Sequence, residues 1–258
     1  MQGVDRSSDL AVVRVEPDDT GRLHPLPDAG YGARMDVAAT LRELGLEAED
    51  LAAWEAAGLP EAAFTGWLTD RVARRPEGRR ARAVYGAEDA HDFARRAILG
   101  ALALGPGDRL LEIGCGGGLL LREALASGAA ATGLDHSPEM VRLTRERAPE
   151  AEVVEGDALA LPFGDGAFTA VALAVVLLFL PEPERALREC RRVLAPGGRL
   201  AAYTTAPELR GTPAAPEPVA AHLHFPPDAE LAAVARAAGF RDPAVANDGG
   251  GQLLTARA

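Results

Sequence analysis

The chain has 258 residues, enough for one large domain or a core domain with a smaller attachment. Hydrophobic residues make up 48% and charged residues 25%, the balance of a globular protein, and 27 basic against 38 acidic side chains give a net charge of −11. A chain that acidic repels phosphate backbones and anionic membranes unless it hides a basic patch, which argues against nucleic-acid and membrane partners.

All 27 basic residues are arginine, a bias expected of a GC-rich bacterial coding sequence. Arg74, Arg75, Arg79, Arg80 and Arg82 are the densest basic cluster, and on a helix and linker they read as a solvated face. Cys115 and Cys190 are far apart and lack Cys-x-x-Cys spacing, so no zinc site, other metal site or disulfide framework is expected. Asp5, Arg6 and Asp9 are unlike the apolar run of a signal peptide. The most apolar stretch, "AFTAVALAVVLLFL" (167–180), is shorter than the roughly 20 residues a membrane helix needs. The expected location is cytoplasmic.

Residues 1–33 are rich in Pro, Gly and Asp around one alternating run, "LAVVRV" (10–15), which suits a short hairpin or a mobile arm. Residues 36–75 are helical in texture: "MDVAATLRELG" and "EAEDLAAWEAAG" each end on a C-cap glycine, and "PEAAFTGWLTDRVARR" opens on a proline. A further helix is expected over roughly 88–104. From residue 108 the texture changes to strands and helices in alternation. The strands are "RLLEIG" (109–114), "AATGLD" (130–135), "AEVVEGD" (151–157), "FTAVALA" (168–174) and "RLAAYTT" (199–205). Helices are expected at 119–128, from Ser137 as N-cap with Pro138 behind it, and at 183–194. This alternation predicts a mostly parallel sheet with helices on both faces and ligands beyond the carboxyl ends of its strands. After a helix at 228–240, "PAVAN" and "QLLTARA" flank a Gly-rich turn and predict a terminal antiparallel hairpin.

The chemistry gathers around "LLEIGCGGG" (110–118). Glycines stand at 114, 116, 117 and 118, but Leu119 occupies the place where a dinucleotide fingerprint wants its third glycine, which counts against a nicotinamide-dependent oxidoreductase. Glu112 precedes the loop, Asp135 ends the second strand and Asp157 the third. A carboxylate at Asp135 can accept from both hydroxyls of an adenosine ribose, although it could equally cap a helix, and Asp157 could be a turn former. Three acids at three consecutive strand ends around one glycine loop favour a nucleoside ligand.

These residues resemble the class I S-adenosylmethionine-dependent methyltransferases, and within them the small-molecule group that includes ubiquinone and menaquinone biosynthesis enzymes. The resemblance is carried by "LLEIGCGGG", "GLDHSPEM", "EGDALALPFGDGAF", "LFLPEPERALREC" and "RVLAPGGRL", in family order and spacing, over roughly 105–205. It implies a Rossmann-like, doubly wound α/β fold: a mostly parallel seven-stranded sheet ending in the antiparallel hairpin, with an N-terminal helical cap. It also implies S-adenosylmethionine as cofactor, with S-adenosylhomocysteine as product. Carried over, Gly114, Cys115 and Gly116 would pack on the cofactor, and Glu112 would place its methionine ammonium directly or through water. Asp135 would take the ribose hydroxyls, with His136 and Met140 near the adenine. Asp157 would accept from the adenine amine and Ala158 would donate. Leu173 and Ala174 would lie along the methionine and the transferring methyl. One departure from the family pattern is Thr169, where Asp often follows the Phe that starts strand four.

The expected division is a helical segment over 1–100, capping the substrate side, and a cofactor-binding core over 101–258. Trp54, Phe64, Trp67 and Phe93 would line the substrate pocket or simply form the cap's own core. The sulfonium already activates the methyl, so the chain must align a nucleophile and exclude water; a base is needed only where the nucleophile's proton is held tightly. Candidate bases are Tyr31, Tyr85, His91, His222 and His224. Relatives often carry His before an "LPDP"-like turn, but "LLFLPEP" here has Leu178 and Phe179, an apolar wall that favours a hydrophobic acceptor. The Asp/Asn-Pro-Pro-aromatic motif of nucleobase-methylating enzymes is replaced by "LAVV" (173–176). The resulting expectation is methyl transfer to O, N or C of a small molecule, with a non-methyl or structural role on the same fold as the alternative.

Overall fold

The computed structural model describes residues 36–44, 46, 48–212, 214–247 and 250–258. The alternating run at 10–15, the first C-cap glycine and Tyr31 lie outside them. Among the described residues, seven strands form one sheet in the order β3-β2-β1-β4-β5-β7-β6. β1 (Arg109–Ile113), β2 (Ala130–Asp135), β3 (Glu152–Glu155), β4 (Phe168–Ala174) and β5 (Leu194–Thr204) are parallel, and β6 (Arg241–Asn247) and β7 (Gln252–Arg257) close the sheet as an antiparallel hairpin. The order reverses between β1 and β4, so the loops leaving these two strands part to opposite sides and leave a crevice at their carboxyl ends.

Strand alternation sorts the core into two layers. Leu111, Ile113, Val171 and Leu173 point to one face and pack with Leu187 and Cys190 of α8 (Pro183–Val193) and Leu231 of α9 (Asp228–Ala237). Leu110, Ala170 and Ala172 point to the other. There they meet α5 (Asp92–Leu102), α6 (Leu119–Ala126) and α7 (Pro138–Arg147) through Ile98, Leu102, Leu121 and Val141. α7 starts where the sequence predicts: Ser137 Oγ accepts from Met140 N at 3.3 Å, with Pro138 in the first turn. Thr169 has its own task in this chain. Its hydroxyl donates to Asp108 Oδ1 at 2.7 Å and accepts from Arg109 N at 3.0 Å, tying the start of β1 to β4.

The N-terminal part differs in detail from its sequence reading. The helix expected over 88–104 is α5, shorter at its start, and a further helix, α4 (Gly78–Gly86), precedes it across a turn in which His91 adopts φ 50°. The expected division at 100/101 falls inside α5, whose Ala94, Ile98 and Leu102 are fully built into the sheet core. α1 (Val37–Glu43), α2 (Ala48–Ala57) and α3 (Phe64–Thr69) instead share a separate small core of Leu41, Phe64 and Leu68 with Val219, from the segment between β5 and α9. α3 continues as a π-helical turn, Asp70–Arg74, before the chain crosses to α4.

Candidate active site

A cavity of about 630 Å³ opens over the carboxyl ends of β1, β2 and β4. Its floor is the glycine loop. Gly114 N and Cys115 N both donate to the Leu134 carbonyl, at 2.7 and 3.1 Å, so the loop bends back onto the end of β2. Asp135 holds the same bend from below: Oδ2 accepts from Gly116 N and Oδ1 from Ser137 N, both at 2.9 Å. Each oxygen keeps a lone pair for a ligand. Thr144 of α7 donates to the Gly116 carbonyl at 2.8 Å.

The glycines answer first to the protein's own packing. Gly114, at φ 70°, is so close to Val176 that a Cβ would collide with it, and a Cβ on Gly117 would run into the Tyr85 carbonyl oxygen. Gly116, at φ 50°, would meet only ordinary contact with the Tyr85 ring. The sequence reading gave the loop glycines to the cofactor's methionine portion; at 114 and 117 the crowding comes from β4's exit and from α4.

Glu112 is 3% exposed and lines the cavity, and its Oε2 has no hydrogen-bond partner. Burial, and then the nearby Asp135 carboxylate, hold its carboxyl well above the ordinary 4.5. A buried acceptor without a donor is costly. Burial likewise raises Asp135, against the two N–H bonds that favour its charge. Cys115 lines the floor but is inert: burial and the two acids drive its thiol well up, and its Sγ lies 3.5 Å from Thr144 Oγ1. Met140, buried in the first turn of α7, Ala158 and the exposed Asp157 complete this end of the cavity. Asp157 lies two residues past β3 and accepts from Leu159 N at 2.9 Å.

The wall is the exit of β4. Ala174, Val175, Val176, Leu178 and Phe179 line the cavity, and Val175 sits at φ 58°, a conformation that strains a β-branched residue. Leu173 does not line it. Strand alternation turns its side chain to the α8 face, where it is fully buried among Leu187 and Cys190, and Ala174 and Val175 line the cavity at this strand end instead.

The roof comes from residues 72–76, from α4 and from 214–223. Arg74 Nη2 donates to the His222 carbonyl at 2.9 Å, and the Arg74 carbonyl accepts from His136 Nε2. Ser137 Oγ donates to the Pro76 carbonyl at 3.0 Å. Tyr85 is half-buried between roof and floor, and its phenol is pushed up to about 12, first by desolvation and then by Asp135. Arg74, Arg75 and Arg80 all line the cavity, whereas Arg79 and Arg82 point away to Glu49 and to Glu139 and Glu146. The solvated-face reading therefore holds for only part of the cluster. No local signal separates the two sets.

The candidate bases divide sharply. His91 lines the cavity, and burial followed by the nearby Arg95 charge holds it below the ordinary 6.5, so it is neutral at pH 7. His222 and His224 do not line it; His222 Nε2 pairs with Thr65 Oγ1 at 2.8 Å. Tyr85 titrates too high to act as a base near neutrality. Trp54, Phe64 and Trp67 form the helical layer's own core, with ring centroids 5.1–6.0 Å apart, and Phe93 packs on Tyr203 at 5.4 Å, outside the cavity. Among the described residues no group of three or more His, Cys, Asp or Glu is arranged to hold a metal ion.

With this geometry in place, comparison with known proteins can be set beside it. Residues 111–202 match the family profile described as Methyltransferase domain. The demethylmenaquinone methyltransferase of Thermus thermophilus is 43% identical over 126 residues, covering 46% of this chain and 56% of that one. The chain spans about half the length of the curated relatives it matches. A SAM-dependent methyltransferase from Aquifex aeolicus shares the fold with TM-score 0.58 at 21% identity, over 69% of this chain and 96% of that one. The 4+2 cyclase SpnF aligns with TM-score 0.55 at 26% identity, over 66% and 81% of the two chains.

Proposed function

We propose that this chain transfers a methyl group from S-adenosylmethionine to O, N or C of a small-molecule acceptor. The observation that carries the reading is Glu112, a buried carboxyl that lines the cavity beneath the glycine loop with one oxygen left without a partner, one strand away from Asp135. The cofactor's ammonium supplies the donor that Glu112 lacks, and its ribose hydroxyls suit the free lone pairs of Asp135. Asp157 and the Ala158 amide would meet the adenine, with His136 and Met140 beside it. When bound, the sulfonium supplies an activated methyl. The chain's own work is to hold the acceptor in line against Ala174 and Val175, to exclude water with the roof, and, for an acceptor that keeps its proton at neutral pH, to take that proton at the neutral His91 imidazole.

Residues 36–76 and 205–223 form the acceptor side in this reading, and the acceptor is a small molecule rather than a nucleic acid. The net charge of −11 and the partly apolar cavity support that choice. Two buried, unpaired thiols and matched relatives from bacteria support a bacterial, cytoplasmic protein. Among the described residues no helix is long and apolar enough to cross a membrane.

Calorimetric titration of the cofactor-stripped protein with S-adenosylhomocysteine tests the reading, with NAD as control. Micromolar binding of the first alone is expected; absence of binding in a folded protein overturns it. The likeness to SpnF favours a second reading, a non-methyl reaction on the same scaffold. Formation of S-adenosylhomocysteine on turnover separates the two.

A further inference from the structure

We propose that Arg75 and Arg80 form a binding site for an anionic group, a carboxylate or a phosphate, carried by the acceptor. The inference rests on the reading of this cavity as the site of methyl transfer and narrows the class of molecule that enters it.

Four arginines line the cavity of a chain whose net charge is −11. Arg95 is saturated by Glu123, Asp92 and two backbone carbonyls. Arg74 pairs with Asp70 and the His222 carbonyl, yet its Nε is buried with no acceptor. Among the described residues the guanidiniums of Arg75 and Arg80 meet no hydrogen-bond or ion-pair partner at all. Their neighbours show that carboxylates were there to be used: Arg79 reaches Glu49, and Arg82 reaches both Glu139 and Glu146. The acids on the cavity floor do not pair with them either: Asp135 accepts from the Gly116 and Ser137 amides instead, and Glu112 is held toward its neutral form.

Charge balance favours the same conclusion. A sulfonium cofactor brings positive charge into a cavity whose roof already carries two uncompensated guanidiniums, so an anionic acceptor is the partner that lowers the combined energy. The planar guanidinium fork matches a carboxylate or phosphate in particular. Opposite it, Val175, Val176, Phe179, Val219 and Leu223 offer an apolar surface. The acceptor class is therefore amphipathic, an apolar body with an oxyanion at one end.

The probes are 2-naphthoate, 2-naphthyl phosphate and the neutral 2-naphthamide, titrated into the S-adenosylhomocysteine-loaded protein. At least one anion should bind tighter than the amide by about tenfold or more. In R75Q/R80Q that preference should vanish while S-adenosylhomocysteine affinity stays level, and R75K/R80K should restore part of it. No anion preference in the parent protein, or a preference that survives in R75Q/R80Q, overturns the proposal. So does a variant that loses S-adenosylhomocysteine affinity but binds 5′-methylthioadenosine normally, because the arginines then serve the cofactor's own carboxylate. Failure of the parent protein to bind S-adenosylhomocysteine would instead strike the methyl-transfer reading. The same probes on the unloaded protein still decide whether the two arginines hold an anion.

Discussion

The floor and the roof of the cavity are built by opposite means. The floor is built within the sheet: Glu112, Gly114, Gly116 and Asp135 lie on the ends of neighbouring strands and the turns between them, tied by backbone-anchored hydrogen bonds. The roof is assembled at long range, by Arg74 meeting His222, Pro76 meeting Ser137 and Arg82 meeting Glu139. The floor carries acids and the roof carries arginines. A site of this kind fixes one ligand by rigid, short-range chemistry and leaves the surface that meets the other free to vary.

The hardest test of that contrast is Gly117→Ala, where floor and roof touch. The new Cβ meets the Tyr85 carbonyl, a backbone atom that yields only if α4 moves, so a loss of about 1–3 kcal/mol or more is expected in denaturant unfolding. Gly100→Ala, exposed in α5 with nothing near its Cβ, should stabilise by up to about 1 kcal/mol. If both substitutions behave alike, roof and floor are not in the contact described.

His91→Asn asks whether the roof side contributes chemistry. With an acceptor that needs a base, turnover should fall by about 10²-fold. The acid limb of the parent's pH–rate profile, with a midpoint below 6.5 because His91 is depressed, should disappear with it.

Glu112→Gln separates binding from stability on the floor. Loss of a charge-assisted hydrogen bond should weaken S-adenosylhomocysteine by about 1.5–3 kcal/mol. The ligand-free protein should gain stability, and the sign follows from linkage. Glu112 is raised in the folded state, so its contribution is fully present below the unfolded value near 4.5 and is lost as pH climbs through the folded value. The parent should therefore weaken relative to the variant as pH rises above 4.5. A constant difference across that range would mean that Glu112 is charged in the resting protein.

Arg82→Gln is expected to do least. Its pairs with Glu139 and Glu146 are solvent-washed, and its small effect on melting should vanish at about 1 M salt, where screening acts within a few ångström.

Sequence reading reaches the floor and stops short of the roof for physical reasons. The parallel strands and strand-end acids follow from apolar runs, strand-to-helix turns and family motifs contained in 105–205, and the hairpin from two short apolar runs about a Gly-rich turn near the end of the sequence. Leu173 illustrates a limit even there: a strand end can be located while which of its alternating side chains turn to the helices and which to the cavity is set by the packing of the sheet. The roof has no such local code. Arg75 and Arg79 are indistinguishable by composition, and only the placement of Glu49, 30 residues away from Arg79, separates the paired one from the unpaired.

The close approach of Tyr85 to Gly117 bears on how new acceptors could be given to this scaffold. Someone recombining helical layers between relatives would be drawn to a junction just before β1, where the motifs begin. That seam would seat a foreign α4 on a loop shaped for this one, and the graft would strain before it met any substrate. A splice placed ahead of Gly78 keeps α4, the loop and α5 together as inherited partners, and exchanges only the layer that greets the acceptor.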